Sequence, residues 1–136
     1  MISSKAQISL EYLLIALAVI SILSILIYQI TNLYSKNITA IDNLELKNTH
    51  KDLQNTLNLL KLQPKAITTL TINPQTEWNF QTTTQNTLKI NNKNKEYIVT
   101  SNNIVVLKFK KIKTSATITI EKSNNKIILD YKTLEK

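Results

Sequence analysis

Cysteine, glycine and arginine are absent from this chain of 136 residues, histidine and tryptophan occur once each, and proline occurs twice. Each absence removes a class of chemistry. Without Cys no disulfide can brace the fold, and without Cys or a second His the lone His50 has no companion with which to hold a metal. His50 lies beside Lys51 on a predicted helix and reads as a solvated helix residue. Without Gly no phosphate-cradling loop can form, and any turn that needs positive φ must fall to Asn. The 17 basic residues are all Lys and face nine acids, for a net charge of +8. Sequence reading and bidentate phosphate contacts favour the planar guanidinium, so no specific nucleic-acid partner is expected; non-specific attraction to acidic surfaces or DNA stays open. Asp42, Asp52, Asp130 and the scattered Glu residues show no paired spacing, and no Ser-His-Asp order has an orienting acid. Neither an enzyme nor a cofactor is expected.

What the chain does have begins at its N-terminus. No residue from Tyr12 to Ser35 is charged. An apolar helix of about 20 residues, at about 1.5 Å per residue, matches a hydrocarbon core roughly 30 Å thick. Glu11 stands at the mouth of that run, where an ionised carboxylate costs several kcal/mol unless a cation or donor meets it. A secretory leader carries its small-residue cleavage site after the apolar region. Here the stretch Tyr28-Gln29-Ile30-Thr31-Asn32-Leu33-Tyr34 offers no such site, whereas Lys5-Ala6-Gln7 places a basic and a small residue before the run. Cutting there retains the hydrophobic segment.

Lys5-Ala6, followed by Gln7-x-Ser9-x-Glu11 and a hydrophobic helix, resembles the class III signal peptide of archaeal type IV pilins. The resemblance covers about the first 30 residues, with Ala6 where Gly is also common. It implies that a prepilin peptidase cleaves between Ala6 and Gln7, that Glu11 becomes the fifth residue of the mature chain, and that the exposed helix polymerises into a cell-surface filament. The partners it implies are copies of the chain or related pilins, the peptidase, and an assembly ATPase with its membrane platform. The precursor is expected as a single-pass membrane protein with its head outside, and the mature form as an extracellular filament used for adhesion. The positive-inside rule does not decide this topology, since Lys36, Lys47 and Lys51 on the outer side outnumber Lys5; the resemblance does. Gln7, Ser9 and Glu11 are the expected assembly residues. Glu11 has two readings: pairing with the new amine of Gln7 on a neighbour, which sets axial register, or first-turn stabilisation by the helix dipole, worth roughly 0.3–1 kcal/mol.

The expected organisation is a leader at 1–6, a long helix at 7–63 and an antiparallel β head at 64–136. The helix should be membrane or filament core over 12–30 and amphipathic over 31–63. Ile30, Tyr34, Ile38, Ile41 and Leu44, then Leu53, Leu57 and Leu60, recur at helical steps; Asn48 and Lys51 or Asp52 interrupt the stripe and predict a bend there. Gln63-Pro64 is a natural stop. Beyond it the period changes to two: Leu88 and Ile90, then Val105, Leu107 and Phe109, then Ala116, Ile118 and Ile120, then Ile127, Leu129 and Tyr131 alternate with polar residues. Stretches 66–72, 78–82 and 96–100 bring the count to six or seven strands in one antiparallel sheet folded over the helix, an α+β lollipop. Asn91-Asn92-Lys93-Asn94, Ser101-Asn102-Asn103 and Ser123-Asn124-Asn125 read as turns, and Trp78, Phe80 and Tyr97 as core.

Two head features have both a functional and a duller reading. Asn37-Ile38-Thr39 is a candidate N-glycosylation sequon and also a triplet that chance supplies in an Asn- and Thr-rich chain. Lys108, Lys110, Lys111 and Lys113 form the densest basic run, with Lys108 and Lys110 expected on the outer face of one strand, either to contact acidic polymers or to keep an edge soluble. A membrane-anchored extracellular binding module, or a minor pilin or adhesin outside the bulk filament, is the rival reading.

Overall fold

The computed structural model describes residues 4–134, with side chains from Leu10 onward. The chain divides into two compact units, Met1–Asn37 and Ile38–Lys136. The helix α1, Ser4–Leu60, supplies the first unit and the opening of the second.

In the first unit α1 is long and apolar enough to cross a membrane, and none of the described residues buries that stretch. Leu13, Leu23, Ile27 and Ile30 are all more than half exposed. Three of the hydroxyls along the run are satisfied by the helix itself. Ser21 and Ser24 donate to the carbonyls of Leu17 and Ile20 at 2.8 Å, and Thr31 donates to Ile27 at 2.6 Å. Such back-bonding spares these three hydroxyls a bare donor when lipid or protein closes around them.

In the second unit the buried side of α1 reads Asp42, Leu46, Thr49, Leu53, Leu57 and Leu60, at steps of four and three residues. This corrects the expected stripe. Leu53, Leu57 and Leu60 belong to it, but Ile41 and Leu44 are 56% and 60% exposed and lie on another side. The helix also runs unbroken through Asn48 and Asp52, because polar residues there point to solvent and leave the backbone ladder intact. It ends with Leu60; Lys61, Leu62 and Gln63 close the end through bonds to the carbonyls three residues back, just before Pro64. No basic residue stands in the last turn of α1. Lys122, buried on a neighbouring strand, donates to the Leu60 carbonyl and, at 3.4 Å, to that of Lys61, so a distant cation serves the negative helix end.

Eight strands follow among the described residues: β1 Lys65–Ile72, β2 Trp78–Thr84, β3 Thr87–Asn91, β4 Glu96–Thr100, β5 Ile104–Leu107, β6 Lys111–Ile112, β7 Ala116–Ser123 and β8 Lys126–Thr133. They form two four-stranded sheets, ordered β1-β7-β8-β5 and β4-β3-β2-β6. The α+β arrangement of a helix packed on sheets is the expected one, with two refinements. A single sheet would bury one face of the strands against the helix; two sheets share the core between them. The pairing of β5 with β8 is parallel, because the chain leaves β5 for the other sheet and returns through the β7–β8 hairpin. Phe80 donates to the Lys110 carbonyl at 2.8 Å, which extends the β2–β6 pairing, and Val105 of β5 links to the other sheet by donating to the Gln85 carbonyl of the β2–β3 turn at 2.7 Å.

One hydrophobic core joins Leu46, Leu53 and Leu57 to Trp78, Phe80, Leu88, Ile90, Ile118, Ile120, Ile127 and Leu129, with Tyr97 partly buried at its margin. Each fully buried aliphatic contributes about 1.5–3 kcal/mol. Phe109 lies past the end of β5 yet stays in the core, edge to face with Phe80 at 5.0 Å. Asn does the turning that Gly does elsewhere. Between β7 and β8, Asn124 sits at φ 53° and donates to the Pro64 carbonyl, while the Asn92 side chain accepts from the amides of Asn94 and Lys95 at 2.9 and 2.8 Å. Replacing Asn124 by Gly is expected to leave stability equal or higher, and by Ile to lower it by about 1–2 kcal/mol, measured by chemical denaturation. Leu53→Ala should cost about 2–5 kcal/mol by the same measurement, through the cavity it opens.

Candidate functional site

The motif at the head of α1 lies on helical backbone from Ser4 onward. The side chains of Lys5, Ala6, Gln7 and Ser9 fall outside the described ones. Glu11 is exposed, with its first apolar neighbours Leu10 and Tyr12 also 57% and 71% exposed. Asn37 is exposed and helical, at the close of the first unit.

The lysine run is not one strand face. β5 stops at Leu107 and Lys111 begins β6, so the four residues spread over a bend between the sheets. Lys108 pairs with Asp130 at 3.3 Å, and Lys111 and Lys113 both reach Glu77, at 2.7 and 3.0 Å. Hydrogen bonds from Lys111 and then Lys113 hold the Glu77 carboxyl below its ordinary value. Exposed pairs of this kind add little stability, but they do occupy the cations. Lys110 is the member of the run left without an acid partner among the described residues.

The residue that sequence spacing missed is Asp42. Its carboxylate is 1% exposed and is surrounded by donors from two separate segments. The amides of Gln75 and Thr76 donate to it at 2.8 and 3.1 Å, the Thr76 hydroxyl at 2.6 Å, the Trp78 indole at 2.9 Å and the Asn92 amide at 2.6 Å. Asn92 also donates to Asn43 at 3.0 Å. One helical acid thus fixes the segment before β2 and the β3–β4 turn against α1. Two more helix residues continue this attachment along β4. His50 shares Nε2 with the Ile98 carbonyl at 3.1 Å and stacks on Tyr97, with ring centres 5.1 Å apart; Gln54 pairs with both backbone groups of Thr100, at 3.0 and 3.1 Å. His50 is therefore a half-buried packing residue where a solvated one was expected. A signal for Asp42 did exist: it falls four residues before Leu46, on the buried side of the helix, next to the amide-bearing Asn43.

Burial pushes the Asp42 carboxyl upward, but the hydrogen bonds from Thr76, Asn92, Trp78 and Gln75 together outweigh it and hold the group below its ordinary 3.8. No set of three or more His, Cys, Asp or Glu side chains gathers as a metal site among the described residues.

Residues 4–30 match the class III signal peptide family. No curated protein and no solved structure shows significant similarity to the chain. The N-terminus is thus of the type IV pilin-like kind, and such a segment implies prepilin peptidase processing and pilus-like assembly machinery. Together with the uncovered apolar helix it points to a pilin-like protein of the membrane or cell surface.

Asp42→Ala should destabilise the head by about 3 kcal/mol, since it strands buried donors around an empty position. The folded state favours the ionised carboxyl. Its contribution is therefore complete above the ordinary carboxyl range and is lost as pH falls through the lowered folded value. Denaturation midpoints measured between pH 7 and pH 3 should fall in the wild type and change less in Asp42→Ala.

Proposed function

We propose that this chain is a structural subunit of an archaeal type IV pilus-like surface filament, made as a membrane-stored precursor and polymerised through its N-terminal helix, with adhesion as its use. The observation that carries the reading is the direct continuity of a class III signal segment with an apolar helix that its own chain leaves uncovered. In this reading residues 1–6 are the leader, 7–63 the assembly helix and 64–136 the head. Lys5 and Ala6 mark the peptidase site, and Gln7 becomes the mature N-terminus. An apolar helix that leaves lipid must hide its sides against its own kind, at about 25 cal/mol per Å² removed from water.

Glu11 then has a defined task. Cleavage frees an ammonium on Gln7 within about one helical turn of the carboxylate, roughly 6 Å along the axis. A neighbour displaced by that distance brings its amine to Glu11, while other displacements leave a charge unpaired in an apolar bundle. The exposure of Glu11 in the isolated chain supports a partner from outside. Of the lysine run, Lys110 is the residue best free to touch an acidic polymer.

Two measurements test this. Sequencing the exported protein should read Gln7 first, in a fraction sheared from the cell surface; Met1 intact, or a start beyond Ile30, refutes the reading. Glu11→Ala should leave cleavage and membrane insertion intact and reduce filament yield by an order of magnitude or so, matching about 1.4 kcal/mol or more per subunit contact.

A further inference from the structure

Strand register leaves an opening in the wall of the head. Trp78 and Asn79 of β2 face Ile112 and Lys111 of β6, and the Phe80 amide donates to the Lys110 carbonyl. Before that point the same chain follows the other sheet, since β5 pairs with β8 and Lys108 donates to the Leu129 carbonyl at 3.0 Å. The two walls meet again where Val105 donates to the Gln85 carbonyl. Tied at both ends and unpaired between, they enclose a slot of about 500 Å³ whose lining includes Phe80, Gln81, Thr82, Leu107, Phe109 and Lys110.

Alternation along each wall defines what the slot presents. Backbone groups of successive strand residues point to opposite sides. The Phe80 amide points away from β3, so the amide and carbonyl of Thr82 do as well; Ile104 and Lys108 turn theirs toward β8 and the turn before it, so those of Leu107 point into the slot. Side chains alternate too. Phe80, Thr82, Leu107 and Phe109 belong to the inward set, and the buried Phe80 and Phe109 rings, edge to face, form an aromatic floor. Thr82 is nevertheless exposed, because no strand covers it on the open side. Gln81 and Lys110 stand exposed at the rim, and Lys110 has no acid partner among the described residues, whereas Lys108, Lys111 and Lys113 do. Residues 64–136 hold 12 Lys against five acids, a balance that draws acidic partners. A polysaccharide carboxylate answers Lys110 but leaves the amide and carbonyl on each wall unmatched. A polypeptide carries both, at strand spacing.

We infer that this slot binds an extended peptide in which apolar and acidic residues alternate: an apolar side chain rests on the Phe80–Phe109 floor between Thr82 and Leu107, the peptide backbone bonds those two residues, and a carboxylate meets Lys110. Because both ends of the slot are closed, the peptide enters from the outer side and engages about four residues, the length of the unpaired stretch 81–84. The inference rests on the adhesion reading above for its use and deepens it by making the partner a polypeptide.

The test titrates full-length protein in detergent micelles, by calorimetry, with the peptide Thr-Val-Glu-Val-Glu-Thr, with its counterpart carrying Gln for Glu, and with polygalacturonate. The acidic peptide should bind, and the Gln counterpart about tenfold more weakly. Lys110→Glu should weaken the acidic peptide about tenfold and Lys110→Arg by no more than about twofold. Thr82→Trp, which fills the slot, should abolish binding. Thermal melts of all three variants should match the parent, because both side chains are exposed. Amide exchange at Thr82 and Leu107 should slow when the peptide is present, a change that charge attraction alone does not produce. Binding indifferent to Thr82→Trp is surface attraction and overturns the slot; saturable binding of polygalacturonate without the peptide, or of neither, overturns the peptide. On cells, Thr82→Trp fibres should form at parental yield and attach less. Fibres of that variant that attach as the parent does overturn the slot's part in adhesion, while failure of the parent itself to form fibres removes the polymeric reading and leaves the peptide titration to decide the site.

Discussion

A helix whose sides its own chain does not cover is the constraint around which the rest is arranged. Water can keep the head folded, but it cannot surround the run from Tyr12 to Ser35 without a penalty that grows with every side chain. That segment therefore always needs a non-aqueous neighbour. In the proposed reading, the class III signal segment places the cut on the polar side of the run, so the helix is kept. Ser21, Ser24 and Thr31 are reconciled with either environment by bonding to their own backbone.

The head solves a different problem: it must hold two sheets and a helix in one arrangement without a disulfide. Apolar burial supplies most of the stability, but aliphatic contacts tolerate sliding. The Asp42 carboxylate does not, because its donors come from the segment before β2 and from the β3–β4 turn and each has a direction. Removing it leaves those donors buried and unmatched, a cost larger than the net gain of forming them. His50 and Gln54 extend the same logic along β4, the edge of its sheet, where Gln54 satisfies both backbone groups of Thr100 much as another strand would.

Much of this architecture was legible from period alone. Alternation at two marked four strands, three further stretches brought the count to six or seven, and three Asn clusters marked turns, with Asn124 taking the left-handed backbone that Gly usually takes. The parts that were not legible share a cause. β6 spans two residues, too few to show any period, and the parallel pairing of β5 with β8 depends on a crossover that no local pattern records. Helical periodicity identified a stripe but joined two sides of α1 into one, because Ile41 and Leu44 are as apolar as the buried residues and differ from them only in what they face. Asp42 was passed over since its partners lie more than thirty positions away. The lysine run was misplaced for the same reason: Glu77 and Asp130, which occupy three of its members, arrive from other elements. The terminal motif needed no tertiary knowledge, being defined by order along the chain.

Lys122 is buried among aliphatic neighbours with its ammonium committed to the carbonyls that close α1. Acylating or methylating reagents act on amines that water can reach, and Lys110 and Lys113 stand open to them at the surface. A heavily modified coat could therefore change the outward charge of this protein while the end of its helix keeps the native amine untouched.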